Sequence, residues 1–235
     1  MAIVKVWKVT KSDSEMSKQG SKVKKRGPGR PRADERDLRN EAILEAATAV
    51  FLEQGFARAS TDEIANRAGA SKQTLYSLYP SKAELFAALM KRRSEKLVDP
   101  VASAILRDDA PAHDVLYRYG LQVLRANLSN DGQRLQRRLI AEAPVFSDLA
   151  NAFWQNGPGW GREIVKQYLE SLVQRQILLI ENTDLAADLF MSIVFGWPML
   201  RASFQLPSLF ETDEALAEWV QNAVDVFLRA HTGTE

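Results

Sequence analysis

Lys72, Gln73, Thr74, Tyr76, Ser77 and Leu78 fall in one short stretch whose spacing predicts a helix. Ser71 ahead of it is a helix-capping residue. Pro80 behind it stops the helix, because the residue before a proline is pushed out of helical geometry. With Leu75 and Tyr79 turned inward, these six side chains remain outside. They offer donors, acceptors and one apolar group, the inventory that reads base edges and phosphates in a major groove. Leu78 has two fates, contact with a thymine methyl or packing against its own domain.

Residue types that do covalent or metal chemistry are scarce. There is no cysteine, which excludes structural disulfides, thiolate metal sites and thiol redox sensing and fits a reducing cytoplasm. His113 and His231 are the two histidines. Neither has a partner at ligand spacing, so no metal and no cofactor are expected. Glu142 and Asp148 read as capping or solvated carboxylates rather than a paired acid and base. No nucleophile motif and no phosphate-binding glycine loop occurs. A helical enzyme is therefore the remote alternative.

The net charge of +1 hides an asymmetry. Residues 1–100 carry 20 Lys+Arg against 13 Asp+Glu, a net of +7, and residues 101–235 carry 11 against 17, a net of −6. A basic first part joined to an acidic second part suggests a polyanionic partner for the first. No uninterrupted apolar run reaches membrane-spanning length. The richest stretch, 185–200, contains Asp188, Gly196 and Pro198. No membrane association is expected.

These side chains need a frame, and the apolar pattern supplies an all-α one. Residues 1–32 lack apolar periodicity and read as a disordered arm. Residues 33–80 read as three helices, and residues 81–235 as a helical ligand-binding and dimerisation domain. The first helix is expected over 35–54, from the stripe Leu38, Ala42, Ala46 and Val50. Gly55 follows as its left-handed cap. Ser60 with Glu63, and Ser81 with Glu84, have the spacing of capping boxes. Gly69 supplies a positive φ to the turn between the second and third helices. A fourth helix is expected to about residue 98. Further helices are expected near 112–127, 133–143, 147–155, 161–176, 184–204 and 213–229.

The sequences ILEAATAVFLEQGF and STDEIANRAGASKQTLYSLYPSKAELF carry a resemblance. Residues 36–90 resemble the helix-turn-helix domain of TetR-family transcriptional regulators. The matching positions are Phe51, Gly55, Phe56, Thr61, Ile64, Ala65, Gly69, Ser71, Tyr76, Lys82 and Leu85. Ala70 and Tyr79 stand where the family more often has Val and Phe. The resemblance implies that Thr61 and Lys82 face the DNA backbone from helix N-termini, with Lys82 meeting a phosphate. It implies that Tyr76 bonds another phosphate, and that Lys72, Gln73 and Ser77 face bases or phosphates. Ahead of this domain, Lys18 to Arg32 hold seven positive residues and no acid. GPGRPR within them resembles an AT-hook core, which would place Arg30 and Arg32 in a narrow minor groove. The alternative is a solvated charge run. Met16 opens this basic stretch and is a candidate start in place of Met1.

The carboxy-terminal part offers bulky apolar groups. Phe146, Phe153, Trp154, Trp160, Met191, Phe195 and Trp197 are candidates to line a ligand cavity. RRLIAEAPVFSDLANAFW resembles the corresponding domain of one TetR branch, without indicating a ligand. Leu189 and Ile193, with the stripe Leu216, Trp219, Val220, Ala223, Val224 and Phe227, are the expected dimer surface, two helices meeting the same pair of a second chain. The function expected is a cytoplasmic homodimeric repressor, released from a palindromic double-stranded DNA operator by a small, largely apolar molecule. An activator, or a regulator without a small ligand, is the alternative.

Overall fold

The computed structural model describes residues 33–107 and 110–232, and helices with their connections account for all of them. The readings of the basic arm, of Arg30 and Arg32, and of Met1 or Met16 lie outside the described residues.

The first helix, α1, is Ala33–Arg58, broken at Gly55 by φ 78 and ψ 172. The positive φ is the one expected, but the extended ψ is not that of a left-handed helical cap. Ile43, Ala46, Ala47, Val50 and Phe51 are buried, whereas Leu38, at the head of the expected stripe, is 71% exposed. The next helices are α2 (Thr61–Arg67) and α3 (Lys72–Leu78). The turn between them holds Gly69 at φ 62. Then comes α4, Lys82–Arg107, longer than expected and running through Pro100. Its amphipathic stripe explains the extra length, since Val98, Val101 and Ala104 continue the buried face.

That stripe serves two cores. Leu85, Phe86, Leu89 and Met90 join α1 to α3 in the first, which also takes Leu139, Leu149 and Ala152 from later helices. Val98, Val101 and Ala104 enter the second. Packing therefore does not break at residue 80, and Asp37–Glu235 is one compact unit.

The remaining helices are α5 (Ala112–Leu128), α6 (Asn130–Glu142), α7 (Ser147–Asn156), α8 (Pro158–Gln174), α9 (Thr183–Met191), α10 (Trp197–Ser203) and α11 (Asp213–Arg229). Helix α4 packs chiefly on α5, α7 and α8, α9 on α8, and α11 on α5. The expected continuous helix over 184–204 is interrupted by a π-helical segment, Ser192–Gly196. Pro198 is the physical cause. It has no N–H to give to the carbonyl four residues back, and its ring crowds that carbonyl. The orphaned group, Val194 O, accepts instead from Trp219 Nε1 at 3.0 Å.

This chain uses most of the expected dimer stripe for itself. Leu216, Val220, Ala223, Val224 and Phe227 are buried in its second core. Trp219 is half-buried and bound to Val194, and Ile193 is partly buried. Helical periodicity marks an apolar face but not which chain covers it. Apolar side chains left outside on these helices include Leu185, Leu189, Trp197, Leu200 and Phe204, and Val226 on α11. The span Thr183–Ser203 is long and apolar enough to cross a membrane by length and composition, with a mean hydropathy of 1.3. Within the fold it instead buries Ala186, Ala187, Phe190 and Val194. Its Asp184 and Asp188 pair with Arg162 at 2.9 and 2.7 Å.

Candidate nucleic-acid interface and ligand cavity

Ser71 accepts from Thr74 N at 3.0 Å, so the cap that starts α3 forms as its sequence requires. Leu75, Ile64 and Ala65 are buried between α2 and α3. Lys72, Gln73, Tyr76 and Ser77 are exposed on the outer face of α3. Thr74 is half-buried, its hydroxyl 2.8 Å from Ser71 Oγ. Leu78 is partly buried against the first core, the second of its two fates. Neighbours hold several of these groups in place. Lys72 pairs with Asp62, and the Tyr76 hydroxyl lies 2.9 Å from Thr61 Oγ1. Tyr79 donates to Asn40 Oδ1 on α1. Half of the Ser81 and Glu84 box forms: Glu84 N donates to Ser81 Oγ at 3.1 Å, while the Glu84 carboxylate takes the Ser81 hydroxyl at 3.3 Å instead of its backbone N–H. The Ser60 box does not form. Ser60 accepts from Asp62 N, while Glu63 is taken by Gln54 and Arg67, because a charged partner on the same helix outcompetes a backbone amide.

Lys82 has a local duty. Its ammonium donates to Ala57 O and Ala59 O, both at 3.2 Å, and stands 4.7 Å above the Phe56 ring. Burial pulls its pKa down and Glu142 pulls it back up. Two of its three donors are thus spent on the corner between α1 and α2, and one is left for a phosphate. Lys82→Ala should therefore cost about 1–2 kcal/mol of stability. It should also flatten the salt dependence of DNA binding by roughly 0.9 log units for each phosphate no longer neutralised. Thermal unfolding and a salt titration measure the two separately. An unchanged midpoint would refute the corner role.

The same corner is gripped from the other side. Glu142, at the end of α6, accepts from Ala57 N at 2.7 Å. Arg138, one turn earlier, donates to Glu53 O at 3.2 Å. A Cβ on Gly55 would stand 2.1 Å from Glu142 Oε1. Glycine is needed there for its φ, and a Cβ would also push the Glu142 carboxylate aside. Nothing in the sequence marks Glu142 for this task, since a carboxylate at a helix end resembles any solvated one.

The same helix, α6, borders a cavity of about 330 Å³ with Gly132, Leu135, Gln136, Leu139 and Ile140. Phe153, Met191 and Phe195, three of the expected lining residues, are on its wall. The other four are elsewhere. Phe146 packs edge-on to Phe56 in the first core, Trp160 flanks the second core, and Trp154 and Trp197 are exposed. Large aromatics at helical spacing serve cores and surfaces as readily as cavities. The wall also carries polar groups that the sequence does not single out: Arg93, Ser94, Tyr119, Asn127 and Gln136. Their only sequence signal is a polar residue interrupting an apolar face. Among the described residues no cluster of His, Cys, Asp and Glu is arranged for a metal ion. His113 meets Gln221 and Asp225, and His231 meets Phe227 O.

Comparison with known proteins agrees with this architecture. Residues 43–89 match the family model for bacterial regulatory proteins of the tetR family. Residues 114–232 match that for the C-terminal domain of AefR-like transcriptional repressors. The chain is 38% identical over 97 residues to the HTH-type transcriptional activator FasR of Mycolicibacterium smegmatis, a match spanning 38% of this chain and 44% of FasR. The chain thus covers less than half of that relative. A TetR-family regulator from Mesorhizobium loti shares the fold with a TM-score of 0.71 and 24% identity, over 84% of this chain and 98% of the other. The Flavonoid-responsive Regulator FrrA aligns at 29% identity and a TM-score of 0.63, over 84% of this chain and 98% of its own. With both its amino-terminal and carboxy-terminal parts matched, the chain belongs to the TetR family of DNA-binding transcriptional regulators.

Proposed function

We propose that this regulator is a homodimeric repressor that leaves a near-palindromic operator when a small, largely apolar molecule fills the cavity. One observation carries the ligand response: α6 borders the cavity with one face and grips the α1–α2 corner with Glu142 and Arg138. A ligand that displaces α6 pulls on the backbone that sets the angle of α3. It shifts the equilibrium only by its differential affinity for the two positions of α6. The two recognition helices of the dimer enter successive major grooves, and Thr61, Ser71, Lys72, Gln73, Thr74, Tyr76, Ser77 and Lys82 form the contact surface. The basic arm, with Arg30 and Arg32, follows the flanking minor groove.

The apolar side chains exposed on α9, α10 and α11 support dimerisation through a second copy, since an extensive exposed apolar surface marks an interaction site. The cavity and the repressor description of the matched C-terminal domain support the rest of the reading. FasR, named an activator, supports the opposite sign of regulation as a second reading. Selection of genomic fragments on the purified protein, followed by gel shift, tests DNA recognition. Retention no better than for random DNA would overturn it. A reporter behind the selected operator decides the sign, because expression rises on deletion of a repressor and falls on deletion of an activator.

A further inference from the structure

We propose that the cavity takes a hydroxylated aromatic molecule that donates a hydroxyl hydrogen to Gln136 Oε1 and accepts from the Tyr119 hydroxyl. This rests on the reading of the cavity as the effector site.

Gln136 Nε2 donates to Ser203 Oγ at 3.1 Å. Ser203 Oγ itself donates to Met199 O at 2.9 Å, so it can only accept from Gln136. That relay fixes the amide orientation, with the NH2 group on Ser203 and the carbonyl oxygen free. The oxygen is buried and has no hydrogen-bond partner among the described residues. A buried acceptor left unmet is costly, and a ligand O–H satisfies it. An ether or an alkyl chain does not.

Tyr119 is 2% exposed. Among the described residues its hydroxyl reaches only Met191 Sδ, at 3.9 Å, a weak acceptor. Burial holds its pKa well above the ordinary tyrosine value, so the group stays a donor. A Cβ on Gly161 would stand 2.7 Å from this oxygen, so the glycine keeps the space beside it clear. The ligand end near Tyr119 must therefore bring an acceptor oxygen.

The wall also carries Met90, Met191 and Met199 with Phe153 and Phe195. Thioethers and ring edges favour a flat polarisable ring over an alkyl chain. Tyr119 and Phe195 already meet edge-on, with centroids 6.0 Å apart. Arg93 donates to Ala126 O and Asn127 Oδ1 and makes no ion pair among the described residues. Its positive charge at the wall favours an acidic phenol over an aliphatic alcohol. At about 330 Å³ the cavity is at the small end of the roughly 300–1,000 Å³ range of ligand pockets, suiting two or three rings.

Calorimetric titration of the full chain tests this with three probes: a biphenyl bearing one hydroxyl on each ring, its dimethoxy ether, and decanoate. The dihydroxy compound should bind about tenfold tighter than the ether, the difference being the one hydrogen bond donated to Gln136 Oε1. Gln136→Leu should abolish that preference while leaving affinity for the ether unchanged, which shows the cavity intact, and Tyr119→Phe should weaken both compounds about tenfold, because a methoxy oxygen accepts from that hydroxyl as a phenol oxygen does. Should Gln136→Leu fail to fold, Gln136→Met replaces it, and Tyr119→Phe stands independently. Equal binding of dihydroxy and dimethoxy compounds, a preference untouched by the Gln136 variant, or unchanged affinities in Tyr119→Phe would overturn the ligand class. If decanoate binds best, only this inference falls and the effector cavity stands. If no probe binds, both fall.

Discussion

Leu200→Glu combined with Phe204→Glu should yield a folded monomer that binds operator at least a hundredfold more weakly than the parent. The two side chains are 50% and 72% exposed in the isolated chain, so charging them removes little from its own core. In a dimer they would be covered, and an unpaired carboxylate buried there is strongly unfavourable. The affinity loss follows from valency. Once one recognition helix is seated, its partner binds as if at high local concentration, an advantage of roughly 10²–10⁴ that a monomer forfeits. Charging the α11 stripe should act differently. Val220 is 0% exposed within its own chain, so Val220→Glu should unfold the protein rather than dissociate it. Sedimentation velocity, thermal unfolding and gel shift on both variants decide the matter. A dimeric, fully active Leu200→Glu/Phe204→Glu protein would refute the surface on α9 and α10, and a folded, monomeric Val220→Glu protein would return the interface to the α11 stripe.

Gly55→Ala should lower stability by about 3 kcal/mol. Alanine at φ 78 is strained by about 1–3 kcal/mol. The new methyl would also meet Glu142 Oε1, so the carboxylate must swing aside and weaken the bond that its Oε2 accepts from Ala57 N, a charged hydrogen bond worth at most about 1.5–3 kcal/mol. At roughly 2–4 °C per kcal/mol for a chain of this size, the midpoint should fall by about 6–12 °C. Adding Glu142→Ala removes the clash, so the double variant should be less than additive. Glu142→Ala alone should leave operator binding without effector close to the parent's and blunt ligand-induced release, since the link from α6 to the corner is cut. Full release by effector in that variant would show that the signal takes another path.

The helix-turn-helix is legible in the residues themselves because each of its parts is settled locally. A hydroxyl cap at Ser71, a glycine forced to positive φ at Gly69 and the stop before Pro80 depend on a few neighbouring dihedrals. Those three determine where α3 begins and ends and which side chains it shows. The helix-by-helix division of the carboxy-terminal part is legible for the same reason, since apolar periodicity and breakers act within a turn or two. What periodicity cannot state is the identity of the surface against which an apolar face packs. Leu216, Val220 and Phe227 form a stripe whether a second chain or α5 covers it, and the tertiary fold chose the chain's own core. The same limit sent Leu78 inward and left Trp154 and Trp197 outside the cavity. Polar groups depended on the fold most of all. Lys82, Glu142, Gln136 and Tyr119 take their roles from partners tens of residues away, and only assembly of the helices decided which carbonyl, amide or cavity each would face.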